Sequence, residues 1–249
     1  MTSTIYILWL RQVKKYMRSK PRIIGSLGQP LLFLLALGFG FGPIYAKAGQ
    51  GSYIEFIGPG VIAMAIIFTA MFTGIEIIWD RQFGFLKETL VAPVSRLEII
   101  IGRILGGATV SMIQGVIVFI IAFIAGFRII SLALVPLALL FMFLIAILFT
   151  ALGTAIAAKM EDMQGFPLIM NFIMMPMFFL SGAIFPLKGL PKAITTIASL
   201  DPLSYGVDGL RIALTGEAHF GLIPDLSVLA LVASLFIAIG VYLFSRIEV

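Results

Sequence analysis

The stretch "DRQFGFLKETLVAPVSRLE", residues 80–98, separates two long apolar runs and carries Asp80, Arg81, Lys87, Glu88, Arg96 and Glu98. Within residues 82–92, Phe83, Leu86 and Leu90 recur at helical spacing on one face, while Lys87 and Glu88 point elsewhere. Gly84 permits close approach of another backbone, and Pro93 stops the helix. A short polar helix therefore stands between two segments long enough to cross a bilayer. Such a helix either anchors the chain at the membrane interface or forms a knob that inserts into a partner beneath it.

The rest of the chain makes the membrane setting explicit. Of 249 residues, 61% are hydrophobic and 12% charged, with a mean hydropathy of +1.13. Soluble domains carry about 25% charged residues, so a chain this apolar is an integral membrane protein. No polar stretch is long enough for a sizeable soluble domain. The expected fold is all-α, a single domain over 1–249. An interfacial helix occupies 1–22, the polar segment 80–96 and a second polar segment 188–216.

Six spans of roughly 20 apolar residues each are read near 23–43, 54–79, 99–127, 131–158, 164–187 and 221–245. The fifth contains Pro167, Pro176 and Pro186 and is expected to be kinked or broken. Twelve of the seventeen basic residues fall in the N-terminal segment, in 80–103, at Lys159 and at Arg246. Lys47, Arg128, Lys188, Lys192 and Arg211 fall on the other side. The excess of Lys and Arg marks the cytoplasmic side, so both termini and the opening stretch are expected there.

Two flanking segments are amphipathic. In 4–19, Arg11, Lys14, Lys15 and Arg18 form one face, and Ile5, Trp9, Val13 and Tyr16 the other. This is the pattern of a helix lying in the interface, or of a helix in a small cytosolic cap. In 188–216, Pro191 can open one short helix. Asp201-Pro202 reads as a cap followed by proline at the first helical position of a second. Leu203, Val207, Leu210 and Leu214 then repeat at helical spacing. Two helices at 191–200 and 202–214 dipping into the outer leaflet fit better than a solvated loop. They would act as a gate hinged near Gly182 and Gly189, with Asp201, Pro202, Asp208 and Arg211 as its polar elements.

Residues that carry chemistry are scarce. There is no cysteine and one histidine, His219, so a metal site has too few ligands. Ser181 and His219 do not amount to a catalytic pair, and no G-x-x-x-x-G-K-[ST] loop exists to bind ATP. "GFGFG" at 38–42 reads as close packing or a flexible span end. Glu76, Gln114 and Asn171 are polar outliers in the spans. Glu76 is expected to reach the cytoplasmic interface, and the other two to bond between helices or line a pathway. "NFIMMPMFFLSG", 171–182, crowds Met and Phe around Pro176, which suits an adaptable apolar surface or ordinary packing. The placement of charge is a topology signal rather than a nucleic-acid footprint.

"WDRQFGFLKETLVAPVSR" at 79–96 resembles the cytoplasmic signature of the type-2 ATP-binding cassette (ABC-2) exporter permeases. "FFLSGAIFPLKGLP" at 178–191 and "DPLSYGVDGLR" at 201–211 resemble that family's second signature, around its external re-entrant helices. The likeness covers essentially the whole chain. It implies a permease that dimerises, that performs no catalysis itself, and that works with a separate ATPase subunit holding ATP and Mg²⁺. By it, residues 82–92 are the coupling helix. The match is closest to the daunorubicin-exporter-like, multidrug branch of prokaryotic cytoplasmic membranes, which implies a drug or lipid-like substrate. Polysaccharide and O-antigen exporters share the architecture, and an ion-coupled carrier or a membrane enzyme is the alternative outside the family. The likeness and the Met/Phe density suggest a substrate wall of Phe68, Met71, Phe72, Met174, Met175 and Phe178. No substrate-binding residue carries over from the family.

Overall fold

The computed structural model describes residues 2–49, 51–91 and 93–245, with side chains at all of these except Thr2, Ser3, Lys87 and Leu90. Eleven α-helices lie among the described residues, with no strand. They are α1 (Thr2–Arg18), α2 (Lys20–Lys47), α3 (Tyr53–Phe72), α4 (Ile75–Gln82), α5 (Phe85–Val91) and α6 (Arg96–Ile124). After a 3₁₀ turn at Leu132–Leu134 come α7 (Val135–Lys159), α8 (Gly165–Leu180), α9 (Lys192–Leu200), α10 (Pro202–Thr215) and α11 (Leu222–Ser245).

Five segments are long and apolar enough to cross a membrane: α2, α3 with α4, α6, the 3₁₀ turn with α7, and α11. The expected fifth span is shorter than read. Its helix, α8, has 16 residues and stops at Leu180 instead of running to 187. At about 1.5 Å per residue it reaches ~24 Å, short of the ~30 Å apolar core of a bilayer. Gly182 then takes φ +77°, which turns the chain out of the helix.

α3 is the hub. Its residues from Phe56 to Ile67 are all buried, and it packs on α2, α6, α7 and α10. Small residues allow these approaches. A Cβ on Gly60 would strike the backbone of Ala183, and one on Gly115 the side chain of Ile66. Where lipid is as apolar as the side chains, such contacts supply the attraction between helices. α3 and α4 form one continuous span broken at Thr73-Gly74. The Thr73 hydroxyl donates to Ala70 O at 2.6 Å, and Gly74 lies against the carbonyl of Gly153 on α7.

The two described ends of the chain lie at the same end of the bundle. Arg11 on α1 meets Asp80 on α4, and Arg96 at the start of α6 donates to Ser245 O at the end of α11. Ser95 opens α6 by accepting the amide of Glu98, the capping arrangement its S-x-x-E spacing favours. Arg246, counted with the basic residues of this end, lies outside the described residues.

Candidate functional site

The polar stretch folds as an elbow. α4 ends at Gln82, Gly84 turns with φ +77°, and α5 begins at Phe85. One face was expected to hold Phe83, Leu86 and Leu90, but the turn at Gly84 separates the first two. Phe83 is 77% exposed, while Leu86 is fully buried. Val91 is 87% exposed and Glu88 and Pro93 are also exposed. The helix therefore spans 85–91 rather than 82–92, and among the described side chains the exposed apolar surface of the elbow is Phe83, Phe85 and Val91. The side chains of Lys87 and Leu90 lie outside the described residues.

Behind the elbow is an ionic collar. Glu76 and Asp80, one turn apart on α4, share a face. Glu76 meets Arg22 at 2.8 Å and Lys15 at 3.3 Å, with Gln12 at 3.5 Å. Asp80 meets Arg11 at 3.4 Å and also Arg103. Four cations thus surround two carboxylates. The Asp80–Arg103 pair is buried, so losing one partner would strand a charge at a cost of about 3–5 kcal/mol. Lys15, with its side chain 41% exposed, contributes at most about 1 kcal/mol through its pair. Glu76, expected to reach the cytoplasmic interface, lies at the elbow end, buried and held by α1 and the start of α2.

One face of α1 lies on α6: Gly102 receives Leu8 and the backbone of Ile5, Gly106 receives Gln12, and the Trp9 indole donates to Thr109 at 2.9 Å, while Tyr6, Ile7 and Met17 stay exposed. Tyr16 is buried and donates to Gln114, which makes Gln114 an interhelical bonder. Asn171 is exposed. Of the four basic residues assigned to membrane anchoring, Arg11 and Lys15 are engaged by Asp80 and Glu76. Lys14 and Arg18 are exposed and have no ion pair among the described residues.

A third connection leads away from the elbow. Arg81 donates to Ala158 O at 3.1 Å, near the end of α7, and to Met160 O at 3.3 Å, just after it, and lies 3.8 Å from the Glu161 carboxylate. Gln82 donates to Glu161 O at 3.1 Å. Asp162 then accepts the amides of Gln164 and Gly165 and caps the start of α8.

The six candidate wall residues separate. Met71, Met174 and Phe178 are fully buried within the protomer, Phe178 packing edge-on against Phe33 at 5.8 Å. They fill the core and face no open path. Met175 is half-buried. Phe68 and Phe72 line a cavity of about 370 Å³ between α1, α2 and α3, whose polar side comes from Tyr16, Arg22, Ser26 and Gln29.

The expected gate is also altered. Asp201 caps α10 by accepting the amide of Leu203 at 2.9 Å, with Pro202 at the first helical position, as the sequence indicates. α10, however, is buried among α3, α7 and α11 rather than dipping alone into lipid. Asp208 accepts the amides of His219, Phe220 and Gly221 and staples the α10–α11 loop. Arg211 donates to Gly182 O at 2.9 Å and lies 4.4 Å over the Phe56 ring. The proposed Gly182 hinge is therefore tied down. The exposed member is α9, where Ile197 and Leu200 are 50% and 79% exposed. A cavity of about 560 Å³ at this end is lined by Tyr45, Lys188, Asp208, Arg211, Glu217 and His219, among others.

The structure is an apolar helical bundle with an exposed elbow at one end. The family model for ABC-2 type transporters matches residues 3–215, and the chain belongs to that family. Nodulation protein J of Rhizobium leguminosarum bv. viciae is 29% identical over 197 residues, covering 78% of this chain and 75% of the relative. The putative transport permease ycf38 of Pyropia yezoensis is 30% identical over 213 residues, covering 83% and 72%. The chain is thus the membrane permease component of a transporter, and permeases of this family work with a separate ABC ATPase subunit.

Proposed function

We propose that this permease exports an amphiphile, drug-like or lipid-like, from a prokaryotic cytoplasmic membrane as a homodimer bound to two ATPase subunits. The observation carrying this reading is the cavity of about 370 Å³ between α1–α2 and α3. Met64, Phe68 and Phe72 offer an apolar wall, and Arg22, Ser26 and Gln29 a polar one, which suits a ligand with a tail and a head. ATP and Mg²⁺ are held by the partner. Phe83, Gly84 and α5 are the surface it grips, and Lys14 and Arg18 draw the N-terminal helix to anionic lipid at about 1 kcal/mol each. α8 makes a sixth crossing at a thinned part of the bilayer, and α9–α10 form an external re-entrant pair.

A second reading, export of a lipid-linked glycan, is favoured by the larger cavity at the opposite end. Its lining of Tyr45, Lys188, Arg211, Glu217 and His219 mixes donors with acceptors, as ligand hydroxyls require. Native mass spectrometry should give two permeases with two ATPases. Inside-out vesicles holding that complex should accumulate a fluorescent amphiphile when given ATP. A one-to-one complex that transports at full rate overturns the stoichiometry. Uptake of a lipid-linked oligosaccharide but no simple amphiphile selects the glycan reading.

A further inference from the structure

We propose that Arg81 is a positioning residue that couples the elbow to α8, by making α4 and the end of α7 one mechanical unit. The proposal rests on the reading of α5 as the surface that an ATPase grips. α4 is an eight-residue rod, about 12 Å long, held along one side by the ion pairs of Glu76 and Asp80 to α1, α2 and α6 and attached at each end to the α7 region. At its start Gly74 and Gly153 meet backbone to backbone, and a Cβ on Gly153 would lie 2.5 Å from Met71 O. At its end Arg81 spreads its guanidinium over Ala158 O and Met160 O, while Gln82 reaches Glu161 O. Both attachments are to α7 or to the residues directly after it.

The connection to α3 is a tightened turn: at Thr73-Gly74 the bonds run Gly74 N to Met71 O, Glu76 N to Thr73 O and Ile77 N to Gly74 O. A push on α5 therefore reaches α3 through this turn and α7 through the Arg81 grip. From Met160 only a short link remains: Glu161, then Asp162, whose carboxylate caps α8. Displacement at the elbow thereby reaches the Met/Phe-rich helix as well as the hub.

Arg81 suits this role chemically. A guanidinium presents several donors in a fixed plane and can hold two carbonyls at once, whereas a lysine ammonium is a point charge. The carbonyls it holds are among the orphan acceptors of a helix C-terminus, which also attracts a cation. The Arg81 side chain is only 19% exposed, so the grip is shielded from water. Glu161 is 87% exposed, and its carboxylate at 3.8 Å adds little. The carbonyl bonds carry the connection.

The chain has no cysteine, so a single reporter can be placed without background. Met175→Cys on α8 is made in the parent, in Arg81→Gln, in Arg81→Lys, and in a chain with one glycine inserted between Met160 and Glu161. Each is co-expressed with the ATPase subunit and placed in nanodiscs. Modification by a water-soluble maleimide is timed with and without ATP, Mg²⁺ and vanadate. In the parent, trapping the nucleotide should change the modification rate about fivefold or more. In Arg81→Gln the ATPase should still co-purify and hydrolyse ATP, but the rate change should vanish. Arg81→Lys should restore part of it. The glycine insertion leaves Arg81 in place and slackens the link, and should also abolish the response. The proposal is overturned if Arg81→Gln responds like the parent, if the slackened chain does, or if trapping leaves the parent unchanged. Failure of any ATPase to co-purify with the parent would instead remove the reading on which it rests.

Discussion

Phe83 has 77% of its surface exposed, and Leu86, three positions later, has none. Each residue therefore answers a different question. Phe83→Asp removes no internal contact, so the melting temperature of the purified permease should be unchanged, within the ±0.5 kcal/mol usual for surface changes. If Phe83 is a central anchor for the ATPase, the same variant should weaken ATPase binding roughly 30-fold or more. Leu86→Ala should do the reverse, costing about 2–5 kcal/mol of stability through the cavity it leaves. Pull-down and thermal melting on both variants check the pair, and normal ATPase capture by Phe83→Asp would reduce the elbow to a membrane anchor. The sequence reading put these residues on one face because spacing alone assumes an unbroken helix from 82. Gly84, noted there as permissive, is where that assumption fails: at φ +77° it resets the helical register. The ionic collar was hidden for a related reason. Glu76 and Asp80 have the i, i+4 spacing of a shared face, but their partners Arg11, Lys15, Arg22 and Arg103 come from three other helices. Only the tertiary fold brings them together.

Among the elements, the spans that were legible are those whose burial is set by apolar length: α2, α3, α6, α7 and α11 lie close to their expected positions. The Asp201 cap was equally direct, since it acts within its own helix. What spacing does not encode is which neighbour receives an amphipathic face. α1 offers the same pattern to a lipid interface as to a partner helix, and the small residues of α6 at Gly102 and Gly106 let one of its faces approach α6. α10 likewise carries an apolar repeat that fits a leaflet, yet it is enclosed by α3, α7 and α11. Gly153→Ala places a methyl against Met71 O and should destabilise by about 1–3 kcal/mol through overpacking. Gly40→Ala, at a helical position with nothing within 4 Å of the new methyl, should be neutral or stabilise by up to about 1 kcal/mol. Thermal melting of the two variants in one detergent measures the difference. Equal melting temperatures would mean that the α3–α7 contact yields freely.

For the whole molecule the open quantity is the number of crossings, and it turns on α8. That helix starts at the elbow end, where Phe166 lies edge-on to Phe72 at 6.4 Å, and it runs toward the opposite end, where Ala183 meets Gly60 on α3. A rod of ~24 Å in a ~30 Å core needs either a thinned bilayer or added reach from the residues after Gly182. Those residues are tied to the bundle: Tyr53 donates to Ile184 O at 3.1 Å, and Arg211 to Gly182 O. The chain after α8 is therefore held at the far end and does not fold back toward the elbow. The elbow end collects most of the Lys and Arg, and their excess predicts that it faces the cytoplasm. The two ends can be told apart directly in a chain without cysteine. Single cysteines replacing Arg18 and Lys192, both exposed, should respond oppositely to a membrane-impermeant maleimide in intact cells. The position 192 variant should label at once, and the position 18 variant only after permeabilisation. Labelling of both without permeabilisation would place α1 and α9 on the same face, leaving α8 as a helix that enters the membrane and returns. Protection of position 192 together with free labelling of position 18 would invert the molecule, and the elbow could then meet no cytoplasmic ATPase.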